Sequence, residues 1–151
     1  MVLQEGDPVE PFEATDQDGA TVTVDVDDPA VIYFYPKDDT PGCTLEAEQF
    51  QRELESYRDA DVAVYGVSTD GVESHASFAE DCGLDFPLLA DPDGEVAELF
   101  DVDVSGGFAP RTTVVVFDGA VHRVYEGVDP DGHARAVLGD LLDDGVAALD
   151  G

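Results

Sequence analysis

Apolar residues fall along this chain in two rhythms, short runs suited to strands and longer stretches at helical spacing. Residues 12–24 hold the alternating segments FEAT and TVTV on either side of Asp18-Gly19, a dipeptide suited to a tight hairpin turn. Ala30 to Tyr35, AVIYFY, is a continuous apolar run, as in a strand covered on both faces. A helical stretch from Thr40 to about Arg58 follows, then a second buried strand, VAVYGVS, at residues 62–68. A helix from Val72 to Cys82 is closed by Gly83, and a short helix near 94–100 comes after FPLLADPDG. TTVVVF (residues 112–117) and VHRVYEG (residues 121–127) flank Asp118-Gly119 as another hairpin. From about Asp131 to Leu149, the residues Ala134, Val137, Leu138, Leu141 and Leu142 recur at the spacing of one helix face.

The order hairpin, β-α-β-α, hairpin, α predicts an α/β fold with a mixed central sheet flanked by helices and an N-terminal β-hairpin. At 151 residues, with no internal repeat or linker, the chain reads as a single domain over 1–151. Chemistry in open sheets of this type collects beyond the C-terminal ends of parallel strands. The segment at the end of the first buried run, YPKDDTPGCTLEAEQF, therefore stands out.

Charge narrows the partners. There are 36 acidic residues against six Lys and Arg, a formal net charge of −30. Such a surface repels nucleic acid and anionic membranes. The regular apolar runs exclude an acidic disordered chain, leaving a folded protein whose self-repulsion is screened at high salt. This points to a cytoplasmic protein of a halophile. No basic and apolar leader opens the chain, and no apolar run is long enough for a membrane span. Two cysteines in such a compartment act as core filler or in redox chemistry rather than as a permanent staple.

Within the conspicuous segment, Thr40 and Pro41 fit the cap and first position of a helix, with the threonine hydroxyl accepting a first-turn amide. Gly42 and Cys43 then occupy the second and third positions. Cys43 lies at the positive end of the helix dipole and heads an inward stripe with Ala47, Phe50, Leu54 and Tyr57. The thiolate is the nucleophile. A thiol with a pKa of about 8.5 is only roughly 3% ionised at pH 7, so a site that uses one must stabilise the anion. Among the six basic residues, Lys37 within the segment and Arg111 at the head of TTVVVF are the candidates to do so. The bland alternative is a small buried hydrophobe.

The segment resembles the active-site signature of the peroxiredoxins, P-x-x-x-T-x-x-C, here Pro36, Thr40 and Cys43. The fuller YPKDDTPGCT-x-E is similar to the bacterioferritin comigratory protein, or Q, subfamily. The likeness continues through GDPVEPFEATDQDG, YGVSTDGVESHASFAEDCGLDFPLLADPDGEVAELF and RTTVVVFDG, covering nearly the whole chain. With the charge, it suggests a halophilic archaeon as source. The resemblance implies a thioredoxin-like fold and reduction of hydrogen peroxide and organic hydroperoxides in antioxidant defence, with no metal or organic prosthetic group. It implies Cys43 as the peroxidatic cysteine that becomes a sulfenic acid. Thr40 would hold the peroxide oxygens and the thiolate, Arg111 would stabilise developing negative charge, and Pro36 would shield the pocket from water. Glu46 would orient Arg111, or else be a first-turn acid that complements the helix dipole.

The resemblance also implies a reducing thiol donor, thioredoxin-like or small, and a monomer or weak homodimer. Many subfamily members resolve the sulfenic acid with a cysteine five residues after the first, and here that position is Glu48. Others place it on the helix after the second strand, where Cys82 stands. Cys82 is either resolving or the last apolar residue of its helix, packed with Phe78. Glu80, Asp81 and the helix C-terminus disfavour its thiolate, making it a poor first attacker.

Rival chemistries fit less well. A thioredoxin-type oxidoreductase needs C-x-x-C, and T-P-G-C lacks the first thiol. A cysteine hydrolase needs a histidine base. His75 reads as a packing or surface residue, and His122 and His133 as surface residues. No Cys/His cluster has the spacing of a metal site, and acid pairs such as Asp27-Asp28 and Asp143-Asp144 read as solvated surface.

Overall fold

The computed structural model describes residues 3–147. Its elements are β1 (Phe12–Thr15), β2 (Thr21–Val24), β3 (Ala30–Phe34), α1 (Pro41–Asp59), β4 (Ala63–Ser68), α2 (Val72–Cys82), β5 (Leu88–Ala90), α3 (Glu95–Leu99), β6 (Thr112–Phe117), β7 (Ala120–Glu126) and α4 (His133–Asp143). The strands form one mixed sheet in the order β2-β1-β5-β4-β3-β6-β7. β3, β4 and β5 run parallel, while β6, β7, β1 and β2 join through antiparallel pairs. This is the mixed-sheet α/β arrangement expected from the pattern, and it is the thioredoxin-like fold that the resemblance implies.

β3 shows why its sequence is apolar at every position. Val31, Tyr33 and the following Tyr35 point to one side, where they pack with Phe50 and Leu54 of α1, Phe78 of α2 and Val137 and Leu141 of α4. Ala30, Ile32 and Phe34 point to the other, against Val96 and Ala97 of α3, Phe100 and Val24 of the hairpin. Successive strand residues thus feed two separate cores, and no position is left for a polar side chain. α2 ends where expected, with Gly83 in the left-handed region at φ 63°.

The larger departures from the sequence expectation lie before α3 and in the last helix, the other bounds shifting by about one residue. FPLLADPDG is not simply a connector: Leu88–Ala90 pairs with β4 and, through Ala90, with Thr15 of β1. Three residues after a proline are too few to set a rhythm, yet they tie the N-terminal hairpin to the sheet. The last helix begins at His133 and ends at Asp143 rather than spanning 131–149. Asp144 is drawn into bonds with His122 and Arg123, and Gly145 turns the chain at φ 77°. Residues 148 and 149 lie outside the described residues. Asp144 is therefore a partner in an ion pair rather than a purely solvated acid, with the two side chains holding its carboxyl below the usual range. Among the described residues no helix is long and apolar enough to cross a membrane.

Candidate active site

The loop of residues 35–40 leaves the C-terminal end of β3 and enters α1, so the helix N-terminus sits at the edge of the parallel strands. Thr40 is extended at φ −108°, ψ 151°, and Pro41 opens the helix. Gly42 and Cys43 occupy its second and third positions, and Cys43 is buried at 2% exposure. The inward stripe contains Cys43, Ala47, Phe50, Leu54 and Tyr57, with Glu46 as a polar addition. The Thr40 hydroxyl does not cap the helix. It donates instead to the Lys37 carbonyl at 3.0 Å, inside the loop. A hydroxyl carries one proton, so the bond to Lys37 leaves Thr40 Oγ1 with lone pairs only.

Arg111 reaches the thiol from the opposite part of the sequence. β6 runs antiparallel to β3 with Thr112 opposite Phe34, so the residue before β6 arrives where β3 ends. Arg111 Nη2 lies 3.5 Å from Cys43 Sγ, and Nη1 donates to Glu46 Oε1 at 2.9 Å. The guanidinium fork thus spans two successive inward positions of α1. A Cβ at position 42 would stand 2.9 Å from Arg111 Nη2, so the glycine of TPGC is what admits the arginine. Lys37, the other cation considered, is exposed on the loop, and Arg111 alone of the two meets the sulfur.

Glu46 is an unusual partner. It is 1% exposed, and its second oxygen, Oε2, has no hydrogen-bond donor. Burial outweighs the attraction and hydrogen bond of Arg111 and lifts its carboxyl to about 7. Glu46 is not the first-turn acid that the sequence also allowed, since the first turn of α1 holds no acidic residue. The Tyr33 hydroxyl is also buried without a partner. Burial, then the charges of Glu46 and Cys43, push that phenol well above its ordinary value.

A second polar cluster braces the loop from below, and its members were not legible as site residues. Asp38 accepts hydrogen bonds from Tyr35 Oη and Ser74 Oγ, each at 2.7 Å. His75 Nδ1 lies 2.7 Å from Asp38 Oδ2, and its Nε2 lies 3.0 Å from the Leu89 carbonyl. Both ring nitrogens face oxygens, one from Asp38 and one from the Leu89 carbonyl. Burial alone would raise the Asp38 carboxyl, but the bonds from His75, Tyr35 and Ser74 hold it below the usual range. The Asp38 amide donates to Asp70, which also receives Ser68 Oγ. The one sequence hint was the pair of acids in PKDDT beside a strand end.

The histidines divide accordingly. His75 is wholly buried in packing. His133 is buried rather than on the surface, bonded to Thr113 Oγ1 at 2.8 Å, and burial lowers it to about 4. His122 is partly exposed and pairs with Asp144.

Pro36 lines a cleft of about 520 Å³ with Lys37, Thr69, Asp70, Gly107 and the exposed Phe108. Both thiols are free, and Cys82 is half-buried at the end of α2, packed against the same core as Cys43. Burial, Glu48 and Asp81 push its thiol up, followed by Asp39 and Asp38. Glu48, the departure from the commoner pattern, is therefore an electrostatic neighbour of Cys82. Among the described residues, no group of three or more His, Cys, Asp or Glu is placed to hold a metal ion.

Known proteins resemble this chain over most of its length. Residues 6–124 match the model of the AhpC/TSA family. The chain is 39% identical to peroxiredoxin Bcp of Escherichia coli K12 over 141 residues, covering 92% of this chain and 87% of that one. Peroxidoxin BcpB of Mycobacterium tuberculosis superposes with a TM-score of 0.85 at 37% identity, over 93% of this chain and 97% of the other. The bacterioferritin comigratory protein of Xanthomonas campestris, described for its alkyl peroxide reduction activity, gives 0.82 at 32% identity over 91% and 99%.

Proposed function

The chain belongs to the AhpC/TSA family and, within it, to the Bcp peroxiredoxins, and from that premise we propose that Cys43 is its peroxidatic cysteine. The chain is a thiol-dependent peroxidase. The observation that carries the assignment is the 3.5 Å approach of Arg111 Nη2 to a buried sulfur at a helix N-terminus. Arg111 and the first-turn amides place positive charge beside the sulfur. The thiolate attacks one peroxide oxygen, the O–O bond breaks, and Arg111 offsets the negative charge that develops on the departing oxygen. Because the Thr40 proton is committed to Lys37, its hydroxyl can accept the O–H of an incoming hydroperoxide. Pro36 covers one side of the approach.

Both hydrogen peroxide and alkyl hydroperoxides are substrates in this reading, the exposed Phe108 beside the Pro36 cleft offering contact to an alkyl group. Cys82 resolves the sulfenic acid. Support comes from its nearness to Glu48 and Asp39 and from Tyr33, whose hydroxyl feels the charge of both thiols. A disulfide needs Cα atoms within about 7 Å, and in this reading the first turn of α1 unwinds locally to bring the buried Cys43 to Cys82. The oxidised enzyme is returned by a thioredoxin-like or small thiol, and the protein works in the cytoplasm as a monomer or weak homodimer. Replacing Cys43 with Ser abolishes thiol-dependent peroxide consumption in a steady-state assay; full activity would overturn the assignment.

The net charge of −30 supports a source in a halophilic archaeon and a fold that gains stability as salt screens self-repulsion. Melting temperatures rise from dilute buffer to multimolar KCl, and a flat or falling series would contradict this.

A further inference from the structure

Two potential anions at the active site share one cation. Arg111 contacts Cys43 Sγ through Nη2 and Glu46 Oε1 through Nη1, and both acids are almost wholly buried. The groups that act on Glu46 are Arg111, before β6, and the Tyr33 hydroxyl from β3, while Cys43 on the same helix meets the same guanidinium and His133 at the start of α4 feels the charge of Arg111. None adds a second positive charge, since His133 is held neutral in its buried place. Thiolate and carboxylate together would leave a net negative charge in low dielectric, which is costly. The site also has a place for the surplus proton, because Glu46 Oε2 is buried and has no donor.

We propose that Glu46 carries a proton whenever Cys43 is a thiolate and gives it up as Cys43 is oxidised, so that the buried site holds one anion against Arg111 throughout. The inference rests on the assignment of Cys43 as the peroxidatic cysteine. Before reaction the site contains thiolate, carboxylic acid and guanidinium. The sulfur lone pair forms the S–O bond, and the O–O bond breaks with its electron pair on the departing oxygen. Sulfur is oxidised by two electrons and the peroxide is reduced. The departing hydroxide or alkoxide takes up one proton and leaves as water or alcohol, while Glu46 releases one. Afterwards the site contains neutral sulfenic acid, carboxylate and guanidinium, with the same net charge. Glu46 is thus a charge-compensating and positioning residue. Once the thiolate is gone, the guanidinium is available to the carboxylate alone.

The test is a proton count. A Cys82→Ser protein stops at the sulfenic acid and is mixed with one equivalent of hydrogen peroxide in weak buffer containing a pH indicator. The same is done with Glu46→Gln added, at a pH where thiolate absorbance shows Cys43 ionised in that variant. The Gln protein takes up about one proton per site, and the Glu46 protein takes up close to none. The oxidised-minus-reduced infrared spectrum of the Glu46 protein loses a protonated-carboxyl band, a readout that does not depend on the variant folding. Equal proton uptake by both proteins, or no loss of that band, would overturn the proposal. Mass spectrometry keeps the two failures apart: if the Glu46 protein gains no oxygen on Cys43, the peroxidatic assignment itself fails.

Discussion

Asp38 and Glu46 are both buried acids within a few residues of Cys43, both pair with a basic side chain, and their carboxyls move in opposite directions. Asp38 receives Tyr35, Ser74 and His75, and it is held below the usual carboxylate range. Glu46 receives only Arg111, on one oxygen, and rises to about 7. Arg111 is also shared with the Cys43 sulfur. A single opposite charge does not secure a buried anion; filling the lone pairs does. The molecule uses the satisfied carboxylate to brace the loop before α1 and the unsatisfied one beside the sulfur.

The strongest way to break the contrast is Asp38→Ala. It leaves a buried imidazole and two hydroxyls without their acceptor, and stability falls by about 3–5 kcal/mol in urea or thermal unfolding. A loss below about 1 kcal/mol would mean that the bracing account is wrong.

Arg111→Ala comes next. It removes the one cation both active-site acids share, and the second-order rate constant for hydrogen peroxide drops by about 10²–10³ in stopped-flow fluorescence or competition assays. An unchanged rate would place the charge stabilisation elsewhere.

The smallest effect lies in the pH dependence of stability. Glu46 binds its proton more tightly folded than unfolded, so it weakens the fold as pH rises from about 4.5 to about 7, by about 3 kcal/mol. Glu46→Gln therefore gains stability relative to the parent as pH rises through that window. Asp38 has the reverse sign: its contribution is present above the ordinary aspartate value and is lost as pH falls through its lowered one. Parallel melting curves for parent and Glu46→Gln from pH 4 to 8 would remove the contrast.

Much of the active site was legible because it is local. Thr40-Pro41 marks the helix start, Gly42 and Cys43 follow within one turn, and the apolar run of β3 announces a strand with two covered faces. Arg111 could be singled out because cations are scarce, but its approach required knowing that β6 pairs antiparallel with β3. The bracing cluster was hidden for the same reason. Ser74 and His75 meet Asp38 only after β4 and α2 have been laid beside β3, and nothing in ESHAS specifies that contact. The Thr40 hydroxyl has two local acceptor and donor choices within a few residues, and sequence does not decide between capping the helix and donating to Lys37.

The most direct test of the account is peptide mass spectrometry of the reduced protein after one equivalent of hydrogen peroxide. The account predicts that the oxidation is found on Cys43, as a trapped sulfenic acid or as a Cys43–Cys82 disulfide. An unmodified Cys43, with peroxide intact or oxidation confined to Cys82, would contradict it.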